Sequence, residues 1–130
     1  MINNCFNARA MHAAVAAQTG TMRIPTPDYL TPASFGSLEL RPRENNEFIG
    51  QQIDYSDAAT VEIRTITIDS LDLARLDLLK IDVEGMEVEA LAGAAASLAR
   101  CRPVILVESM KSDALKLREV LSSRGTGCSR

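Results

Sequence analysis

The sequence predicts an α/β domain organised around residues 76–108, LDLLKIDVEGMEVEALAGAAASLARCRPVILVE. Three observations predict it. Two short apolar runs, Leu78 to Val83 and Val104 to Val107, have the length of strands. The residues between them, Met86 to Arg100, have helical composition, and Pro103 ends the connection. Acids follow both runs: Asp82 and Glu84 after the first, Glu108 after the second. Parallel strands joined by a helix cross over right-handedly, and ligands of open α/β sheets sit outside the carboxyl ends of the strands. A functional site is therefore expected at Asp82, Glu84 and Glu108.

Taken in order, the chain opens with three Asn in residues 1–9, which read as a loop or a helix end. Met11 to Ala17 fits a strand or a helical turn. Gly20 marks a turn and Thr21 to Ile24 a short strand, so residues 11–24 are expected as a hairpin. Pro25, Pro27 and Pro32 exclude regular structure over TPDYLTP. FGSLEL, Phe35 to Leu40, alternates weakly and fits an edge strand. Residues 41–59 are polar and turn-rich. TVEIRTITI, Thr60 to Ile68, is dominated by Val, Ile and Thr and is the clearest strand. Asp69-Ser70-Leu71 closes it, with Asp69 or Ser70 placed to cap a short turn through Ala74.

On the helix of the central unit, Val88, Leu91, Ala95 and Leu98 recur at three, four and three, which makes one apolar face. Glu84, Glu87 and Glu89 stand at its start, and Arg100 and Arg102 at its end, as the helix dipole favours. A second helix is expected over Ser112 to Ser122. Ala114, Leu117, Val120 and Leu121 form its buried stripe, and Gly125 and Gly127 end it.

Composition narrows the function. At 130 residues the chain is one domain, and its apolar fraction of 46% suits a buried core. A net charge of −3 offers no basic face, which argues against nucleic acid as a partner. No apolar run approaches the about 18 residues of a membrane span, so no membrane partner is expected. The N-terminus lacks the clean apolar core of a signal peptide. Cys5, Cys101 and Cys128 are odd in number and lack C-x-x-C spacing. They argue against a disulfide framework and for a reducing, cytoplasmic setting. Cys101 reads as a small buried residue.

Asp82 ends a strand, where a carboxylate can hold a cation, accept a hydroxyl proton or bond a polar ligand; it can equally bond turn amides. Lys80 shares its face by strand alternation and is placed to pair with an acid. Glu84 precedes Gly85, which fits a turn needing positive φ. Glu87 lies three residues on, so a carboxylate metal site of Asp82, Glu84 and Glu87 is a third alternative, although no His lies near. His12 is the only histidine and reads as a surface or edge residue, so a nucleophilic triad has no support. Neither G-x-G-x-x-G nor G-x-x-x-x-G-K-[ST] occurs.

TITIDSL, LDLLKIDVEGMEVEALAGA and RPVILVE together resemble the FkbM family of S-adenosylmethionine-dependent methyltransferases. The resemblance rests on a T-x-D-x-L element, the K-I-D-V-E-G-x-E core, the L-x-G-A helix and the R-P-x-x-x-x-E strand. HAAVAAQTGT and SFGSLEL extend it upstream. It implies the class I methyltransferase fold, a seven-stranded, mostly parallel Rossmann-like sheet with helices on both faces. It also implies O-methylation of a hydroxyl on a sugar or natural product, with S-adenosyl-L-methionine as cofactor. Leu78 to Val83 would be the fourth strand and Val104 to Glu108 the fifth. Asp82 and Glu84 would be catalytic, Asp82 orienting or deprotonating the acceptor hydroxyl, and Glu108 would bind substrate beside them.

The family's first strand, its glycine-rich loop and the acid ending its second strand hold most of the cofactor. On this resemblance they precede residue 1, and a final antiparallel pair would follow the last helix. Residues 1–130 are then expected to form a single partial domain, best matched over 60–122, lacking the first two strands and the last strand pair. No residue here is assigned to the cofactor. In the order 3-2-1-4-5-7-6 the edge of LLKIDV would be unpaired, a surface for self-association. Two readings stay open: a methyltransferase that is inactive without its cofactor-binding part, and a non-catalytic remnant or interaction fragment.

Overall fold

A computed structural model describes residues 7–108, 110–111 and 114–122 of the chain. The strand–helix–strand centre is present, but the strands divide into two small sheets. In the first, β1 (Ala14–Val15) and β2 (Gly20–Pro25) flank β3 (Thr60–Ile66). β1 runs parallel to β3 and β2 antiparallel, with Gly20 opposite Thr65 and Pro25 opposite Thr60. The expected hairpin over residues 11–24 is therefore not formed. Its two strands lie on opposite sides of β3, whose Val, Ile and Thr residues supply the longer pairing surface.

The second sheet pairs β4 (Leu78–Ile81) with β5 (Val104–Val107) in parallel, Leu78 opposite Val104 through Ile81 opposite Val107. The continuous half-sheet implied by the resemblance is thus two separate pieces. The strand predicted to reach Val83 ends at Ile81, because residues 83–86 form a turn closed by the Met86 amide on the Val83 carbonyl. FGSLEL is not a strand either: Phe35–Ser37 is a single 3₁₀ turn.

The helix expected over Met86 to Arg100 is broken into α1 (Glu87–Ala92) and α2 (Ala95–Cys101). The break has a steric and a hydrogen-bonding cause. A Cβ on Gly93 would lie 2.2 Å from the Ala16 carbonyl oxygen, so β1 closes onto the helix only where the side chain is missing. The Gly93 carbonyl accepts from the Asp69 amide at 2.9 Å rather than continuing the helical ladder. Asp69 then restarts the helix. Its carboxylate accepts from the Ala96 and Ser97 amides at 2.9 and 2.7 Å, two of the donors a helix start leaves unsatisfied. The sequence places Asp69 at a local turn; instead it caps a helix 27 residues away, while residues 69–71 form a 3₁₀ turn. α2 ends at Arg102, in the left-handed region at φ 48°, just before Pro103.

The core lies where these elements meet. Ile68, Ile81, Ala90, Leu91, Ala94, Leu98 and Leu117 are buried together. Leu117 comes from α3 (Ala114–Ser122), which packs on α1. Val120 and Leu121 are half-buried beside it, but Ala114 is exposed. Of the predicted stripe, Leu91 and Leu98 are core and Val88 and Ala95 are half-buried. Alternation sorts the second sheet: Leu79, Ile81, Ile105 and Val107 face the core. Leu78, Val104 and Leu106 on the other face are 55%, 63% and 54% exposed, unlike a parallel sheet covered on both sides. Cys101 is half-buried and His12 exposed. Cys5, Cys128, Gly125, Gly127 and the start expected for the second helix at Ser112 lie outside the described residues.

Gly93→Ala should destabilise the fold by about 1–3 kcal/mol in urea unfolding, since the backbone of Ala16 must move. Gly36→Ala, with open space around its Cβ, should change stability by less than about 0.5 kcal/mol.

Asp69 gives a second test. Burial raises its carboxyl, but Ser97, the Ala96 and Ser97 amides and Arg100 outweigh that and hold it below the ordinary range. A depressed folded value means this stabilisation is full above the unfolded value of 3.8 and fades as pH falls through the folded one. Asp69→Ala should cost about 1 kcal/mol at neutral pH. It should also flatten the loss of stability below that value in acid unfolding.

Candidate functional site

The carboxyl ends of β4 and β5 sort their acids into two groups. Lys80 and Asp82 are two residues apart at the end of β4, so both side chains leave the same side. The Lys80 ammonium donates to Asp82 Oδ2 at 2.7 Å. Glu108 follows β5, and its amide donates to the Ile81 carbonyl at 3.0 Å, which sets it beside the end of β4. The Asp82 carboxyl is held below its ordinary value by the Lys80 hydrogen bond, against a smaller opposing effect of burial, with Lys80's charge adding to the depression. Lys80 is raised in turn, chiefly by the same hydrogen bond. The two predicted residues Asp82 and Glu108 are thus brought together, exposed, with a cation against them.

Glu84 goes elsewhere. It sits at φ 50° before Gly85 at φ 95°, so the turn uses two successive residues in the left-handed region. For a non-glycine residue that costs roughly 1 kcal/mol. Glu87 holds the turn: its Oε1 accepts from the Val83 and Gly85 amides at 3.3 and 3.1 Å, and the residue is 2% exposed. Glu87 therefore faces inward to the backbone and not toward Asp82 or Glu84. Among the described residues no three His, Cys, Asp or Glu side chains come together to hold a metal ion.

The Glu84 carboxylate meets the Lys111 ammonium at 2.7 Å. Lys111 also pairs with Glu47 at 2.7 Å, lies 4.0 Å from Glu39 and donates to the Ser37 carbonyl at 2.9 Å. Burial pulls the Lys111 ammonium down, but its bonds to Glu47 and Glu84 prevail and raise it. Glu39, only 5% exposed, also accepts from Asn46 Nδ2, and the Tyr55 hydroxyl donates to its carbonyl at 3.0 Å. Arg43 donates to the Lys111 carbonyl, and Arg41 pairs with Glu89 at 3.3 Å. These bonds strap residues 37–47 across the end of β4. Between strap and turn lies a cleft of about 170 Å³, with Arg41 to Arg43 on one wall and Glu84 to Met86 with Glu89 on the other. Nothing in the sequence marks Lys111 or its loop partners, because they lie 64 to 74 residues apart in a polar segment without periodicity.

The methyltransferase FkbM domain family matches residues 2–126, nearly the whole chain, and the chain belongs to that family. No curated protein and no solved structure matches it.

Lys111→Met should leave the buried Glu39 carboxylate without its cation and release the strap. The expected cost is about 1–3 kcal/mol in urea unfolding, with faster amide exchange across residues 37–47. Adding Glu39→Gln should recover part of the loss; a double variant no better than the single would show that Glu39 does not need the ammonium.

Proposed function

We propose that this chain supplies the acceptor side of an O-methyl-transfer site, for a hydroxyl on a sugar or a related natural product. The observation that supports it is the juxtaposition of Asp82 and Glu108 at the carboxyl ends of parallel neighbours, the place where open α/β sheets take ligands. Asp82 accepts the hydrogen bond of the acceptor hydroxyl and aims its oxygen. Its depressed carboxyl, with Lys80 bound to it, makes it a weak base and a good orienting acceptor. Glu108 bonds a neighbouring polar group. Glu84, occupied by Lys111, shapes the wall of the pocket.

S-adenosylmethionine, the methyl source that the family implies, finds no cradle among the described residues. No glycine-rich loop follows a strand there, and the space over Gly85 and Gly50 is taken by Arg43 and by Pro32 with Ala33. The same observation, with the exposed Leu78, Val104 and Leu106, favours the second reading: a non-catalytic interaction piece that self-associates through the β4–β5 sheet.

Calorimetric titration with S-adenosylmethionine separates the two. The enzyme reading expects a saturable isotherm. A flat one from chain that is folded by circular dichroism, together with concentration-dependent self-association, would leave the second. In the enzyme reading Asp82→Asn should reduce methyl transfer by about 10²-fold while cofactor affinity changes less than about twofold. Equal losses in both would refute the role of Asp82.

A further inference from the structure

Among the cations at the cleft beside the β4 turn, Arg43 is set apart by its neutral partner. Arg41 is paired with Glu89, and Lys111 with Glu84 and Glu47. Arg43 donates to the Lys111 carbonyl, a neutral partner, and among the described residues no carboxylate is ion-paired with it. A guanidinium carries five N–H donors, so most of the Arg43 fork is left for a ligand.

That guanidinium is also held in place. A Cβ on Gly85 would lie 2.5 Å from Arg43 Nη1 and 2.9 Å from its Cζ, so the group rests directly against the glycine backbone. Gly85 is favoured by its φ of 95°, and the Arg43 guanidinium occupies the space a Cβ would take there. A charged fork fixed by a carbonyl and a backbone wall loses little freedom on binding, and its geometry matches a carboxylate or phosphate. The Arg41–Glu89 pair beside it is half-exposed at 3.3 Å, loose enough for Arg41 to turn to an incoming anion.

We propose that this cleft seats an anionic group of the acceptor, a carboxylate or a phosphate, on Arg43, with Arg41 as the second cation. The assignment to an acceptor rests on the function proposed above; the seat itself does not. At about 170 Å³ the cleft takes one such group rather than a whole sugar. The body of the acceptor would then extend toward Asp82, three residues before Gly85, and Glu108, whose amide bonds the Ile81 carbonyl at the end of β4.

The test is an NMR titration at fixed ionic strength, following the Gly85 amide and Arg43 Nε–H. The probes are inorganic phosphate, glucuronate and neutral methyl glucoside. At least one anion should shift both signals along a saturable curve, and methyl glucoside neither; the tighter anion distinguishes phosphate from carboxylate. Arg43→Gln should weaken that binding about tenfold, and Arg43→Lys should recover part of it. If Arg43→Gln unfolds by circular dichroism, Arg41→Gln takes its place and should weaken binding severalfold. No saturable shift, equal shifts with chloride, or unchanged affinity in the folded variant would overturn the proposal. The titration contains no cofactor. An anion curve beside a flat S-adenosylmethionine isotherm would sink the transferase reading and leave the seat standing; cofactor binding without an anion curve would do the reverse.

Discussion

Asp69 joins the parts of this molecule. It follows the end of β3, and its amide and carboxylate both reach the helical segment that covers the second sheet. The amide takes the Gly93 carbonyl and so ends one helix; the carboxylate takes two free amides and starts the next. Small elements need such a junction. α1 and α2 have six and seven residues, far below the length at which a helix is stable by itself in water. They persist because the core buries Leu91 and Leu98, and because Asp69 satisfies the α2 start that its own N-terminal residue, Ala94, does not.

The same packing explains why the second sheet has only one covered side. The helices and α3 lie over Leu79, Ile81, Ile105 and Val107. Leu78, Val104 and Leu106 on the reverse are left in water. Burying a leucine or valine side chain is worth about 1.5–3 kcal/mol, so three on one small face are a strong incentive for contact. The Lys80–Asp82 pair on that side keeps the face from being uniformly apolar at the carboxyl end.

The central unit was legible because its signals are local: two apolar runs, a helical segment and a proline set β4, β5 and the helices within a few residues. The acids at the strand ends were legible for the same reason, and Asp82 and Glu108 do come together. What failed was non-local. The hairpin over residues 11–24 lost to pairing with β3, some forty residues away. The single helix lost to a contact between Gly93 and Ala16, which the sequence shows only as a glycine in a run of alanines. The Lys111 cluster depends on which loop lies over which turn, and residue patterning carries no trace of that.

The division of the acids bears on how the pocket works. Asp82 and Glu84 are two residues apart and look equivalent as candidates. The left-handed turn at Glu84 and Gly85 separates them by redirecting the backbone. Asp82 keeps an exposed carboxylate with a single flexible lysine, so a hydroxyl can share it. Glu84 is tied to a lysine that also binds Glu47 and the Ser37 carbonyl, so freeing it would undo the strap. A carboxylate that must hold a loop in place is poorly suited to exchange protons with a substrate. The strain of roughly 1 kcal/mol at Glu84 has a structural return: it turns this side chain to Lys111 and sets Gly85 under Arg43, while Asp82 stays with Lys80.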